Sequence, residues 1–195
     1  MTLKQAKRNP SLKVKTRYKF LCAGLKSKNG LAKWCKGIWQ HCEGELGMCR
    51  VGFHCFKQPY DAFSYVQGEI LALVEVKGKS IKEDNKECWS DMRVVKAYKW
   101  TKKDSLKLAI FSAELCLKNF EEFYPDDERP RQAIEAAKKV LFHNTKKNQA
   151  HAVYAATAAA AATYAAAYAA YAADAATIKK IQRYFMKLIK GLKEI

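Results

Sequence analysis

The sequence predicts an α+β fold, on three observations. Short runs rich in β-branched and aromatic residues, broken by Gly and polar clusters, occupy residues 17 to 101. Beyond residue 104 the apolar spacing lengthens from two to three and four. Ala, the strongest helix former, then dominates 150–177. The chain of 195 residues accordingly divides into a basic flexible arm (1–16), a small β-rich domain (17–103) and an antiparallel helical domain (104–195). The last contains a long Ala-rich helix and ends in a basic amphipathic one.

Taken in order, MTLKQAKRNPSLKVKT (1–16) is too poor in apolar residues to offset the entropy of being ordered, and reads as an arm. The strand candidates are RYKFLCAGL (17–25), KGIWQHC (36–42), GFHCF (52–56), EILALVEVKG (69–78) and MRVVKAYKW (92–100). In LALVEV, Leu71, Leu73 and Glu75 alternate imperfectly with Ala72, Val74 and Val76, which predicts a central strand covered on both faces. Pro59 and Asp61 suit a helix start, with Ala62, Phe63, Tyr65 and Val66 free to pack on the sheet. The charged stretch 77–91 reads as an exposed loop, Trp89 excepted.

Asp104 is the expected cap of a helix over 105–123, with Leu106, Ala109, Ile110, Ala113, Leu117 and Phe120 along one face. Pro130 places the next helix start, which runs to about His143 with Ala133, Ile134, Ala137 and Leu141 inward. A polar turn (144–149) leads to a third helix from Ala150 toward Gly191, continuous or bent near Asp174. Only Asp174 is charged between 150 and 177, yet Ala partitions weakly into hydrocarbon and Tyr and Thr replace Leu and Ile. No membrane span is expected.

Charge sets the partner class. The net charge is +17, and residues 1–42 hold eleven Lys or Arg and no acid. Residues 43–174 are nearly neutral, and residues 175–195 carry six bases against Glu194. Basic ends on a neutral body predict contact with nucleic acid or an acidic host protein. The contact residues are Lys4, Lys7, Arg8, Lys13, Lys15 and Arg17 at one end, and Lys179, Lys180, Arg183, Lys187, Lys190 and Lys193 at the other. Tyr18, Trp34, Trp39, Tyr184 and Phe185 interleave aromatics with this charge. No RNP, zinc-finger or helix-turn-helix signature accompanies them, so phosphate contact rather than base reading is expected.

Seven cysteines without an apolar leader predict reduced thiols in the cytoplasm. Cys35, Cys42 and Cys49 are spaced by sevens, with His41, His54 and Cys55 nearby, but no C-x-x-C pair holds two ligands together. No metal and no cofactor is expected. His54, beside Gly52 at a strand end and followed by Pro59, Asp61 and Tyr65, is the catalytic candidate, with Tyr65. It reads either as a general base or as a half-buried histidine satisfied by backbone. The hexapeptide Asp126-Asp127-Glu128-Arg129-Pro130-Arg131 reads as a tie between helices or a recognition patch.

Two stretches resemble known families. YKFLCAGL, GFHCF, KQPYDAFSYV, GKSIKED and RVVKAYKWTKKDS, within Tyr18 to Lys103, resemble a small uncharacterised domain of phage and prophage proteins, which implies no particular activity. Leu106 to about Ala176, with D-x-R-P-R-x-A-I-E-A-A at Asp127 to Ala137, is similar to the C-terminal helical part of an immunity-protein family. The basic C-terminal helix is an addition to that pattern. Strand, G-F-H, short helix and V-E-V-K-G strand are also similar in outline to small ADP-ribosyltransferase-like domains, without their ordered Arg or Ser and catalytic Glu.

These likenesses imply a non-enzymatic accessory protein of a phage or mobile element. It would bind a bacterial macromolecule, either a nuclease or defence complex or nucleic acid, through its basic termini. The alternatives are a small ADP-ribosyltransferase-like enzyme using the His54 region and an immunity protein sequestering a toxin.

Overall fold

The computed structural model describes residues 13–29, 32–66, 68–152 and 175–195. In chain order the elements are β1 (Lys15–Leu21), a 3-10 turn (Ala23–Leu25), β2 (Gln40–His41), β3 (Phe53–Phe56), α1 (Pro59–Tyr65), β4 (Ile70–Glu83) and β5 (Lys86–Lys99). The helices α2 (Lys102–Phe123) and α3 (Arg129–Phe142) follow, then α4, described over 146–152, and α5 (Ala175–Lys190). The fold is α+β, in two compact units: residues 1–100 with 192–195, and residues 101–191.

The first unit is organised by one long hairpin. β4 and β5 pair from Ile70↔Lys99 at the base to Glu83↔Lys86 at the tip. β1 lies antiparallel on β4 along the base, while β3 lies antiparallel on β5 at the tip, Phe53↔Trp89 to Phe56↔Lys86. Tyr18↔Phe56 joins β1 to β3, so the pairings β5–β3–β1–β4–β5 return to their start. That closure bends the hairpin, and the bend is taken up by register shifts at Leu73/Val74 and between Lys77 and Ser80. Gly78 sits in the second shift at φ +84, where a Cβ would collide with Ser90 and Asp91. Only glycine fits there without strain.

Four segments share the other edge of β5: β3 at the tip, β2 at Asp91 and Met92, a bridge from Lys36 at Val94, and a bridge from Glu194 at Tyr98. The last is reinforced by Lys99 N donating to Lys193 O and Ile195 N to Ala97 O. Both backbone edges of β5 are therefore paired along most of its length.

Period two then decides the core. Ile70, Ala72, Val74 and Val76 of β4 pack with Leu21, Trp34, Cys55, Trp89, Met92, Val94 and Ala97. Leu71, on the opposite face of β4, is 1 % exposed. The expectation of a strand covered on both faces holds at its base, while Leu73 and Glu75 further along the second face are half-buried. On that second side Phe20 meets Phe63 of α1 edge-on with centroids 5.5 Å apart, and Trp100 at 5.8 Å.

Several expectations are corrected. Residues 77–91 are not a loop but the distal half of the hairpin, turning at Asp84, whose φ of +48 an Asp tolerates. β1 begins at Lys15, inside the predicted arm, and of 36–42 only Gln40–His41 forms a strand. Thr101, not Asp104, caps α2: its side chain accepts from Asp104 N, and Asp104 reaches back to Thr101 N in a capping box. Leu108, Ile110 and Phe120 are the buried residues of α2, whereas Ala109 and Ala113 are exposed.

In α3 the buried pair is Ile134 and Ala136. Helix returns at residue 146, inside the predicted turn, and the rest of the Ala-rich run, 153–174, lies outside the described residues. α5 ends at Lys190, just before Gly191. Its own anchors, Ile181 and Phe185, are buried, and Tyr184 stacks on Phe111 of α2 with centroids 4.0 Å apart. Among the described residues no helix is long and apolar enough to cross a membrane.

Candidate functional site

Alternation along β1 places Lys15, Arg17 and Lys19 on the same face as Leu21, so cations enter the sheet unit. Arg17 meets Glu87 of β5 in a two-point contact, Nε to Oε2 at 2.7 Å and Nη2 to Oε1 at 3.1 Å. Trp89 Nε1 donates to the same Oε2 at 2.8 Å. Glu87 is 2 % exposed. Burial pushes its carboxyl up, but the hydrogen bonds from Arg17 and Trp89 and the charges of Arg17 and Lys82 hold it below the ordinary range. Lys19 donates to His54 O at 2.8 Å, and burial lowers its ammonium to about 8.

His54 lies on β3 opposite Cys88. Its Nε2 accepts from the backbone N of Cys49 at 2.9 Å, which leaves the ring proton on Nδ1. Burial, with the charges of Lys86 and Lys19, lowers it to about 4. The Nε2 lone pair is thus engaged by the backbone of Cys49. Tyr65 is 52 % exposed and tilts against Phe56 at 4.9 Å. Lys86 lies between Tyr65 and the cysteine whose backbone binds His54: its Nζ lies 5.3 Å from the Tyr65 ring centroid and donates to Cys49 Sγ at 2.9 Å. The sequence shows neither this lysine–cysteine contact nor the Arg17–Glu87 pair, whose members stand 70 residues apart.

All seven cysteines are free thiols. Among the described residues no group of three or more His, Cys, Asp or Glu side chains is placed to hold a metal ion. Gly52, at φ +114, gives Cys88 its space, since a Cβ there would collide with the Cys88 thiol. The Asp127 hexapeptide closes on its own helices: Arg129 grips Asp127 at 2.8 and 2.6 Å, and Arg131 reaches Glu121 of α2 at 2.9 and 2.7 Å.

The predicted contact cations fall into three groups. Lys4, Lys7 and Arg8 lie outside the described residues. Lys13 is exposed, Lys15 Nζ stands 5.1 Å over the Trp89 ring, and Arg17 is committed to Glu87. Of the aromatics expected beside them, Trp34 is core, whereas Trp39 carries Lys77 and Arg93 over its ring at 4.2 and 4.8 Å. In the third group Lys179, Lys180, Arg183, Lys187 and Lys190 are all exposed on α5, and Lys193 is exposed just beyond it.

At 3.6 residues per turn the five α5 cations fall within about 100° of the helix circumference. Ile181, Tyr184, Phe185 and Leu188 occupy the opposite arc. Among the described residues none of the five has a carboxylate within salt-bridge distance.

Residues 15–104 match a family described as a domain of unknown function, DUF7666. That stretch spans β1 through β5 and the capped first turn of α2; α5 lies outside it. No curated protein and no solved structure matches the chain.

Proposed function

We propose that the chain is a non-enzymatic binder of nucleic acid that grips the phosphate backbone through the cationic face of α5. One observation carries this reading: five exposed cations, none with a carboxylate partner among the described residues, share one face of a helix anchored on its other side by Ile181 and Phe185. From Lys179 to Lys190 the face extends about 16 Å at 1.5 Å per residue. Duplex DNA presents about one phosphate per 1.7 Å of axis with both strands counted, so each of the five cations has a phosphate to meet as an upper limit. Nothing in this arrangement reads base edges, and affinity comes from counterion release.

The test is fluorescence anisotropy of the full chain on a labelled DNA duplex across a salt series. Five contacts give a slope of log K against log salt near −4.5, hence a loss of about 500-fold between 50 and 200 mM. The variant K179Q/R183Q/K187Q flattens the slope by about three while helicity stays unchanged. Binding indifferent to salt, or a triple variant that binds like the parent, overturns the proposal. Equal affinity for a polyglutamate chain also overturns it and assigns the face to an acidic protein.

A further inference from the structure

We propose that Cys49 and Lys86 are a redox modification site, at which peroxide drives formation of a reversible sulfur–nitrogen cross-link between the two side chains. The reacting atoms are already in contact: Lys86 Nζ lies 2.9 Å from Cys49 Sγ. Each partner is also held by a second, independent interaction. The backbone N of Cys49 is tied to His54 Nε2 at 2.9 Å, and the residue is fixed in a left-handed turn at φ +61. Lys86 is held in the β3–β5 ladder opposite Phe56, with its ammonium over Tyr65. No carboxylate among the described residues competes for Lys86.

Accessibility selects this thiol among its neighbours. Cys49 is exposed, while Cys55 and Cys88 are buried. Burial pushes the Cys55 thiol up to about 12, and the Cys88 thiol is likewise raised and donates to Val51 O. Both are kept as unreactive thiols, whereas Cys49 meets solvent, where peroxide can reach it.

The chemistry balances in two steps. The Cys49 thiolate attacks hydrogen peroxide, the O–O bond breaks and an S–O bond forms. Sulfur is oxidised by two electrons to a sulfenic acid as peroxide is reduced to water. Lys86, having given its extra proton to solvent, then attacks that sulfur through its nitrogen. The S–O bond breaks, and the departing hydroxide leaves as water with the proton shed by nitrogen. The product is a sulfenamide, of the kind sulfenic acids form with backbone nitrogen. Two equivalents of an external thiol return the free cysteine and amine, ending as a disulfide. The cross-link would fasten the 47–51 turn to β5.

The experiment treats the full chain with hydrogen peroxide and maps its peptides by mass spectrometry. The expected product is a Cys49-to-Lys86 linked species lighter than the sum of its parts by about two hydrogens. Tryptic cleavage after Lys86 is lost, and dithiothreitol restores it. C49S and K86R both abolish the species, and C42S keeps it. A disulfide between Cys49 and Cys42 that persists in K86R overturns the proposal. So does sulfenic or sulfinic acid accumulating on Cys49 with Lys86 still cleaved by trypsin.

Discussion

Replacing Glu87 by Gln keeps the shape of the side chain and removes its charge. The carboxylate is 2 % exposed and accepts three hydrogen bonds, two from Arg17 and one from Trp89. The Gln oxygen satisfies at most part of this set, and its amide group points donors at donors. Arg17, whose side chain is 13 % exposed, is left as a nearly buried cation without its counter-ion.

Breaking a buried pair from one side typically costs about 3–5 kcal/mol. The residual exposure of Arg17 and the retained oxygen lower this to about 2–3 kcal/mol. For a unit of roughly 100 residues that is a fall in Tm of about 10 to 20 °C. Thermal melts followed by near-ultraviolet circular dichroism, with urea titrations, read the change.

The pH dependence makes the test sharper. The folded-state pKa of Glu87 lies below its ordinary 4.5. Its contribution is therefore complete above 4.5 and is lost as pH falls through the lower folded value. The gap between parent and E87Q should be full at pH 7 and close progressively in acid. A double change to R17M/E87L, which removes both charges, should recover most of the loss. An E87Q protein within 0.5 kcal/mol of the parent at pH 7, a threshold set by ordinary surface substitutions, refutes the reasoning. So does a gap of constant size down to acid pH.

Three further outcomes follow from the same geometry. His54 should stay neutral from pH 8 down to its value of about 4, with the proton on Nδ1, as read from nitrogen-15 imidazole shifts; titration near 6.5 would contradict the Cys49 hydrogen bond. Because the folded value of Lys19 is about 8 against an ordinary 10.5, its contribution rises as pH climbs between them. The stability difference between the parent and K19M should therefore shift in the parent's favour over that window by on the order of 1–3 kcal/mol, and a flat difference from urea titrations would refute the assignment. Gly78→Ala forces a Cβ against Ser90 and Asp91 at φ +84 and should cost about 2–3 kcal/mol, whereas a melting temperature equal to the parent's would show that the shift in register relaxes freely.

What the sequence revealed follows the range of the interactions involved. The cationic face of α5 is legible because a helix brings residues three and four apart together, and Lys179, Arg183 and Lys187 announce themselves locally. The burial of β4 is legible in LALVEV because a strand sends alternate residues to opposite faces, and this run is apolar on both apart from Glu75. The distal hairpin is not. Residues 77–91 are rich in charge, the buried Glu87 included, and that composition is shared with loops; only the ladder to β3 and β4 distinguishes the two. Thr101 and Asp104 form a readable T-x-x-D box, and taking Asp104 as the cap places the helix start three residues late. Arg17 with Glu87, and Lys86 with Cys49, are contacts of register and turn geometry that no local spacing encodes.

The last strand-like segment, 193–195, belongs to the sheet unit, although the whole helical unit separates it from β5 in the chain. The second unit is thus an insertion into the first, entered after Trp100 and left after Gly191. On the ribosome, the end of β5 around Ala97 to Lys99 must wait for its cover until every helix has emerged. During that interval the backbone edge at Ala97 and Lys99, which 193–195 later covers, stands open to any passing strand.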